Sequence, residues 1–221
     1  MYQWLKRSLF IAIAVAIIYL AMVYFLDRAL LQWQITENPG AFWTSLAQLI
    51  AHIFKTKFWL VGAFVIVVGC HCWSIWLDTQ WRILRAKFAY VFAAVFCSAL
   101  ITGVLKVLLG RSRPIEWIQH QAYGFHFIGL HHAQQSSPSG HTTVAFALAI
   151  AIACLIQNSW GKLVLFLLAV LVGVSRLIIL QHYLSDVFLA ASIGTWVALF
   201  LRANYYPWLL SKCQQSDNQS A

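Results

Sequence analysis

The chain has 221 residues, of which 62% are apolar and only 10% charged, and it carries a formal net charge of +9. No soluble domain of this length has a core that takes up so much apolar side chain, so the composition excludes a water-soluble globular protein and indicates an all-α integral membrane protein. The excess of positive charge suits contact with anionic lipid headgroups; the basic residues are scattered over many segments rather than gathered in one stripe, which argues against a nucleic-acid partner.

Six apolar segments approach spanning length, about 17 to 25 residues. They are Leu9–Leu26, Phe58–Leu77, Lys87–Leu109, Thr142–Ile156, Leu163–Leu180 and Asp186–Leu201, and together they predict a six-helix membrane bundle. The first follows Lys6-Arg7 as a signal peptide would. Its apolar run is long, however, and no A-x-A pattern precedes Asp27-Arg28, so it is expected to stay as an uncleaved span. Between spans one and two, "AFWTSLAQLIAHIF" repeats Phe42, Leu46, Leu49, Ile50 and Ile53 at helical spacing. This fits an amphipathic helix in the membrane interface, and equally a plain structural connector. In span two, Cys70-His71-Cys72 has the composition of a metal site, yet successive helical residues point in different directions, and ordinary packing of small soft side chains is the expectation. The five cysteines, an odd number placed in spans or in the tail, imply no disulfide framework. Residues 1–212 read as one domain, and the polar tail 213–221 as disordered.

The outer end of span three reads "KVLLGRSRP". Lys106 and Arg113 are seven residues apart, two turns of a helix, so both can project along one face before Pro114 stops the helix. Snorkelling of basic side chains to the interface would explain this cluster taken alone. Between spans three and four, the long aromatic loop Ile115–Ser137 holds His120, His126, His131 and His132. It reads as a headgroup selector or lid, with hydrogen bonding at a wet interface favoured over a zinc site. Span four opens with "SSPSGHT". Pro138, Ser139, Gly140 and His141 at a helix start offer backbone N–H groups and a positive dipole end to an anion, although simple N-capping by Ser137 or Ser139 also accounts for them.

Spans five and six are joined by "SRLIILQHYLSD", Ser175 to Asp186. Charged groups inside a bilayer are costly unless paired or facing a wet cavity. His182 and Asp186 are four apart, so on a helix the carboxylate is expected to accept a hydrogen bond from the imidazole and fix its tautomer. Arg176 and His182 are six apart, about 120° around a continuous helix. If both meet one ligand, the chain must break near Leu180-Gln181.

Hydropathy alone puts all three clusters at one membrane face, where they describe a phosphoryl-transfer site: Lys106, Arg113 and Arg176 give positive charge, Ser139 to His141 give backbone donors, and His182 backed by Asp186 gives a nucleophile. Lys and Arg divide eight against seven between the two faces. Setting aside Lys106, Arg113 and Arg176 as site residues leaves eight against four, which predicts both termini in the cytoplasm.

"K-x6-R-P" at Lys106 to Pro114, "P-S-G-H" at Pro138 to His141 and "S-R-x5-H-x3-D" at Ser175 to Asp186 resemble the three signature motifs of the type 2 phosphatidic acid phosphatase (PAP2) superfamily. That family includes bacterial lipid phosphatases and, more distantly, glucose-6-phosphatase and vanadium haloperoxidases. The resemblance implies that His182 attacks phosphorus to form a phosphohistidine, oriented by Asp186. It implies that His141 protonates the leaving oxygen and later activates water, while Lys106, Arg113, Arg176, Ser139 and the Gly140 amide hold the phosphoryl oxygens. It implies no metal or other cofactor. The implied substrate is a membrane lipid phosphate, with lipid A, undecaprenyl pyrophosphate and phosphatidylglycerophosphate as candidates, taken at the periplasmic face of a bacterial inner membrane. A phosphotransferase sharing the phosphohistidine step and a transporter or channel are the rival classes. Nothing in the sequence fixes an oligomeric state.

Overall fold

The computed structural model describes residues 2–54, 61–62, 64–65, 68–69 and 79–220. Most of predicted span two, with Cys70-His71-Cys72, lies outside the described residues. Among the described residues the ordered elements are helices, with no strand. In chain order they are α1 (Tyr2–Phe25), α2 (Asp27–Glu37), α3 (Gly40–Ile53), α4 (Thr79–Leu109), α5 (Pro114–His120), a single 3-10 turn (His132–Gln134), α6 (Gly140–Ala153), α7 (Ser159–Ile178) and α8 (Leu184–Ser220).

Four of these contain stretches long and apolar enough to cross a membrane: Ser8–Phe25, Trp81–Leu109, Ser159–Ile178 and Leu184–Cys213. The predicted fourth span is α6, apolar but only 14 residues long, or about 21 Å at the helical rise. Hydropathy misjudged the ends of α4 and α8. The first begins at Thr79 rather than Lys87, and the second runs to Ser220 rather than Leu201, across Pro207. An apolar run marks the hydrocarbon layer, whereas a helix continues while its backbone ladder can propagate. Helix α8 thus continues into the polar tail. Cys213 is buried in a cluster with Ala86, Tyr90, Ala94, Ala151, Ala198 and Tyr206.

The centre of the bundle is α6, packed against α8, α7 and α4; α1 lies on α8 and α3 on α7. Close approach is possible because the facing residues are small. Ala145, Ala149 and Ala169 fill one cluster around Phe146 and Val172, and Ala147 another between Val95 and Val144. In a lipid environment such small-residue seams allow the van der Waals contact that holds helices together. Ala47 and Ala51 of α3 are buried, and Ile50 packs on the α6–α7 cluster, so the segment between the first two predicted spans is a helix that also serves as a structural connector.

Two chain reversals shape the site. At the end of α4, Gly110 takes a left-handed φ of 55° and its N–H returns to the Lys106 carbonyl, the usual glycine termination. Helix α4 therefore ends before Arg113, and Pro114 opens α5 instead of stopping α4. Lys106 and Arg113 are not on one helical face. The following loop folds back on the end of α4 through Ile128 N–H to Leu108 O and Gly129 N–H to Val107 O. At the other reversal α7 ends at Ile178, Leu180 adopts a φ of 53°, and α8 starts at Leu184. This is the break that the Arg176–His182 spacing requires.

Candidate active site

The loop between α5 and α6 stitches the three sequence clusters together. From the last turn of α4, the Lys106 ammonium donates to the Gln135 carbonyl at 2.7 Å. Buried Arg113 donates from Nε to the His132 carbonyl at 2.9 Å and from NH1 to Oε1 of Gln181 at 2.8 Å, which ties it to the turn between α7 and α8. Arg176, 7% exposed, reaches the same region from the end of α7, and its buried Nε has no partner among the described residues.

His182 lies at the middle of these cations. Its Nδ1 is 2.7 Å from the Ser136 carbonyl oxygen. A carbonyl only accepts, so Nδ1 carries the proton. Burial above all, then the charges of Lys106, Arg113 and Arg176, hold the imidazole pKa well below its usual value of 6.5, against the opposing pull of the Ser136 bond. The ring is therefore neutral at pH 7 and Nε2 carries a lone pair.

The expected hydrogen bond between His182 and Asp186 is absent: Asp186 Oδ2 is 3.9 Å from Nδ1, an ion-pair distance beyond hydrogen-bond reach. The rule for residues four apart assumes that both are helical, and His182 precedes the first residue of α8. Asp186 instead accepts from Arg111 NH1 at 2.5 Å, from the Ser136 hydroxyl at 2.5 Å and from the Tyr183 N–H at 3.0 Å. The carboxylate thus holds the residue whose carbonyl holds the ring.

Ser139 occupies the N-cap position of α6 but makes no side-chain cap. Its Oγ accepts from the Thr142 hydroxyl at 2.9 Å, and its N–H donates to the Asp186 carbonyl at 3.2 Å. Gly140 and half-buried His141 follow in the first turn, where the helix dipole is positive. The Ser139–Asp186 bond thus joins the "PSGH" segment to the one that carries His182.

In the long loop His120 pairs with Glu116 at 3.2 Å, His126 with the Ser112 hydroxyl at 2.7 Å, and His132 with Arg113 NH2 at 3.2 Å. Among the described residues no three His, Cys, Asp or Glu side chains are grouped to hold a metal ion, so the zinc alternative for this loop has no structural support.

Sequence reasoning missed Arg111, Asp27, Ser136 and Ser185. Arg111, which follows the end of an apolar run, is wholly buried, bonded to Asp27 at 2.6 Å and stacked 4.4 Å from the Tyr183 ring centroid. The available signal was Asp27 itself, one of only six acidic residues, placed at the end of an apolar run where an unpaired charge is costly.

Fold and site together define an all-helical membrane protein that surrounds a neutral histidine with fixed cations and a helix N-terminus. The sequence profile of the PAP2 superfamily matches residues 87–209, and the chain belongs to that family. It is similar to the Lipid A 1-phosphatase of Rhizobium etli, at 32% identity over 117 residues covering 53% of this chain and 50% of the relative. It is also similar to Lipid phosphate phosphatase 1 of Arabidopsis thaliana, at 34% identity over 140 residues covering 52% of this chain and 43% of the relative. The matches span about half the length of these curated relatives. Among solved structures, a PAP2-type phosphatidylglycerolphosphate phosphatase from Bacillus subtilis superposes with a TM-score of 0.63 at 21% identity, covering 93% of this chain and 96% of that one. Aquifex aeolicus LpxE gives 0.58 at 20% identity, covering 79% and 93%. At such identities these neighbours speak for the fold alone.

Proposed function

We propose that the protein is a membrane lipid phosphatase that hydrolyses a lipid phosphomonoester or pyrophosphate through a phosphohistidine. The observation that carries this reading is His182: buried, neutral, its Nδ1 proton committed to the Ser136 carbonyl and its Nε2 left with a lone pair among Lys106, Arg113 and Arg176. Nε2 attacks phosphorus while the bond to the lipid oxygen breaks, and His141 gives that oxygen a proton. In the second half His141 takes a proton from water, the water oxygen attacks phosphorus, and the P–N bond breaks to restore His182. Lys106, Arg113, Arg176, Ser139 and the Gly140 amide offset the charge on the phosphoryl oxygens. Asp186 stabilises the imidazolium formed in the first step across 3.9 Å, as a charge rather than as a hydrogen-bond acceptor.

An apolar groove of about 750 Å³ between α1, α4 and α8, lined by Ile11, Val15, Leu105, Leu109 and Phe188, supports a substrate with acyl or prenyl chains. Tyr19, which also lines it, shares a 2.9 Å hydrogen bond with the Ser137 hydroxyl next to the Ser136 that holds His182. The names of the bacterial relatives favour lipid A within the candidate set, which also contains undecaprenyl pyrophosphate and phosphatidylglycerophosphate. Our reading keeps six spans, with the second over Phe58–Leu77, α3 at the interface, both termini in the cytoplasm and the site on the periplasmic side of the inner membrane.

The test is phosphate release by purified protein in detergent, given each of the three lipids without an acceptor lipid. Release that His182→Ala abolishes is the expected result. A label that moves only when an acceptor lipid is supplied would make the protein a phosphotransferase, and no turnover of any lipid phosphate would refute the reading.

A further inference from the structure

Behind the nucleophile lies a buried ion cluster of which the reaction as written uses only Asp186. Asp27, Arg111 and Asp186 are 1%, 0% and 0% exposed, and Arg111 bridges the two carboxylates at 2.6 and 2.5 Å. Asp27 also accepts from the Ser185 N–H at 3.0 Å and from its hydroxyl at 2.5 Å. The contacts continue to the site: Asp186 holds the Ser136 hydroxyl, the Ser136 N–H donates to the Arg111 carbonyl at 3.0 Å, and the Ser136 carbonyl holds His182. Ser136 is gripped by Arg111 directly and, through Asp186, indirectly. An unbroken polar path therefore runs from the start of α2 to the reacting imidazole.

Buried ion clusters of this kind add little net stability, because desolvation cancels most of the attraction. Their value here is geometric and electrostatic. We propose that Asp27 and Arg111 are positioning residues of the phosphatase reaction, acting on His182 through Asp186 and Ser136. The proposal rests on the reading of His182 as the nucleophile. The charges that act on His182 are Lys106 from α4, Arg113 from the following loop and Arg176 from α7, with Asp186 at 3.9 Å in its own segment. Asp186 is the single carboxylate in that set, and at 3.9 Å it favours the imidazolium. Arg111 takes its charge, leaving the ring neutral and nucleophilic. Without Arg111 the Asp186 charge is no longer shared, so it favours the imidazolium more strongly and raises the pH at which His182 loses its proton. Asp27 sets where the Arg111 fork sits, so its loss loosens the ring's support without unmasking Asp186.

The experiment measures kcat/KM against pH for Arg111→Gln, Arg111→Lys and Asp27→Asn, with thermal unfolding in the same detergent and His182→Ala as control. The acidic limb of this profile reports deprotonation of the nucleophile in free enzyme. We expect Arg111→Gln to move that limb up by about one pH unit, which is roughly a fivefold loss at the native midpoint and approaches about tenfold below it. Arg111→Lys should keep the native limb, and Asp27→Asn should keep both limb and KM while kcat falls several-fold. A folded Arg111→Gln protein with the native limb would overturn the proposal. If that variant does not fold, the Asp27→Asn/Arg111→Lys double variant decides. Losses in kcat that multiply show independent residues and overturn the proposal, whereas a double loss no greater than the larger single one supports it. Full activity in His182→Ala would refute the nucleophile reading itself, a separate and recognisable failure that takes this proposal with it.

Discussion

An alanine at Gly194 would put a methyl group where α8 meets the backbone of α6. The added Cβ would lie 2.5 Å from the Thr143 carbonyl oxygen, 2.9 Å from the Ala147 nitrogen and 3.1 Å from Phe146 Cβ. Two of these three neighbours are main-chain atoms, which cannot rotate aside, so the helices must separate. Restoring a contact of about 3.3 Å requires a shift of roughly 0.8 Å, and overpacking of this kind costs on the order of 1–3 kcal/mol. The displacement falls where it matters, because the first turn of α6 carries Ser139 to His141 and the first turn of α8 carries Asp186. The 3.2 Å bond from Ser139 N–H to the Asp186 carbonyl would be stretched beyond bonding distance. Misplacement of catalytic groups by about 1 Å can cost roughly a hundredfold in rate. Gly194→Ala should therefore lower the midpoint of thermal unfolding in detergent and reduce kcat for phosphate release by one to two orders of magnitude. Native values of both would refute the close approach of α6 and α8 and the account of how they set the site.

If neutral His182 attacks as proposed, then with its pKa held well below 6.5 kcat/KM should stay flat as pH falls through 6.5 and decline only in more acidic buffer. A midpoint at or above 6.5 would contradict the buried cationic setting. Phosphate release should survive excess EDTA, since the site offers cationic side chains where a metal-dependent phosphatase would offer carboxylate ligands; inactivation reversed by zinc or magnesium would refute this. His182→Ala should form no phosphoenzyme with any substrate. His141→Ala should be partly rescued by an activated leaving group that needs no proton, as read by rapid-quench trapping, and equal rescue of both variants would reverse or abolish the assigned roles.

The fold was legible where one physical requirement dominates. The need to satisfy backbone groups in hydrocarbon makes apolar segments helical, so the four long apolar helices, α1, α4, α7 and α8, emerged from composition and length. Their ends did not. Where α4 and α8 continue past the apolar layer, hydropathy carries no signal, and the residues that extend them contact one another instead: the Cys213 thiol lies 3.5 Å from the Arg82 carbonyl. The turn between Arg176 and His182 was legible for a different reason. Two charged groups needed at one place were incompatible with a continuous helix, and the chain breaks there with Leu180 in a left-handed conformation.

The polar residues proposed for the site were visible as costly exceptions in apolar sequence, but their connections were not, because local spacing says nothing about partners from distant segments. Asp186 looked like the partner of His182, being four residues away. Its bonds go instead to Arg111, 75 residues distant, and Ser136, 50 residues distant. Asp27 pairs with Arg111 across 84 positions. Both Arg111 and Asp27 have an apparent local explanation, as charges that flank apolar spans, and that explanation fails on burial. A charge at the edge of a span can remain in the headgroup layer, but a wholly buried one must have a partner of opposite sign. With so few acids in the chain, the choice of partner is narrow. Pairing the buried charges by scarcity, rather than by sequence distance, links the start of α2 to the loop after α4 and to the start of α8, and these are the three segments that meet behind His182.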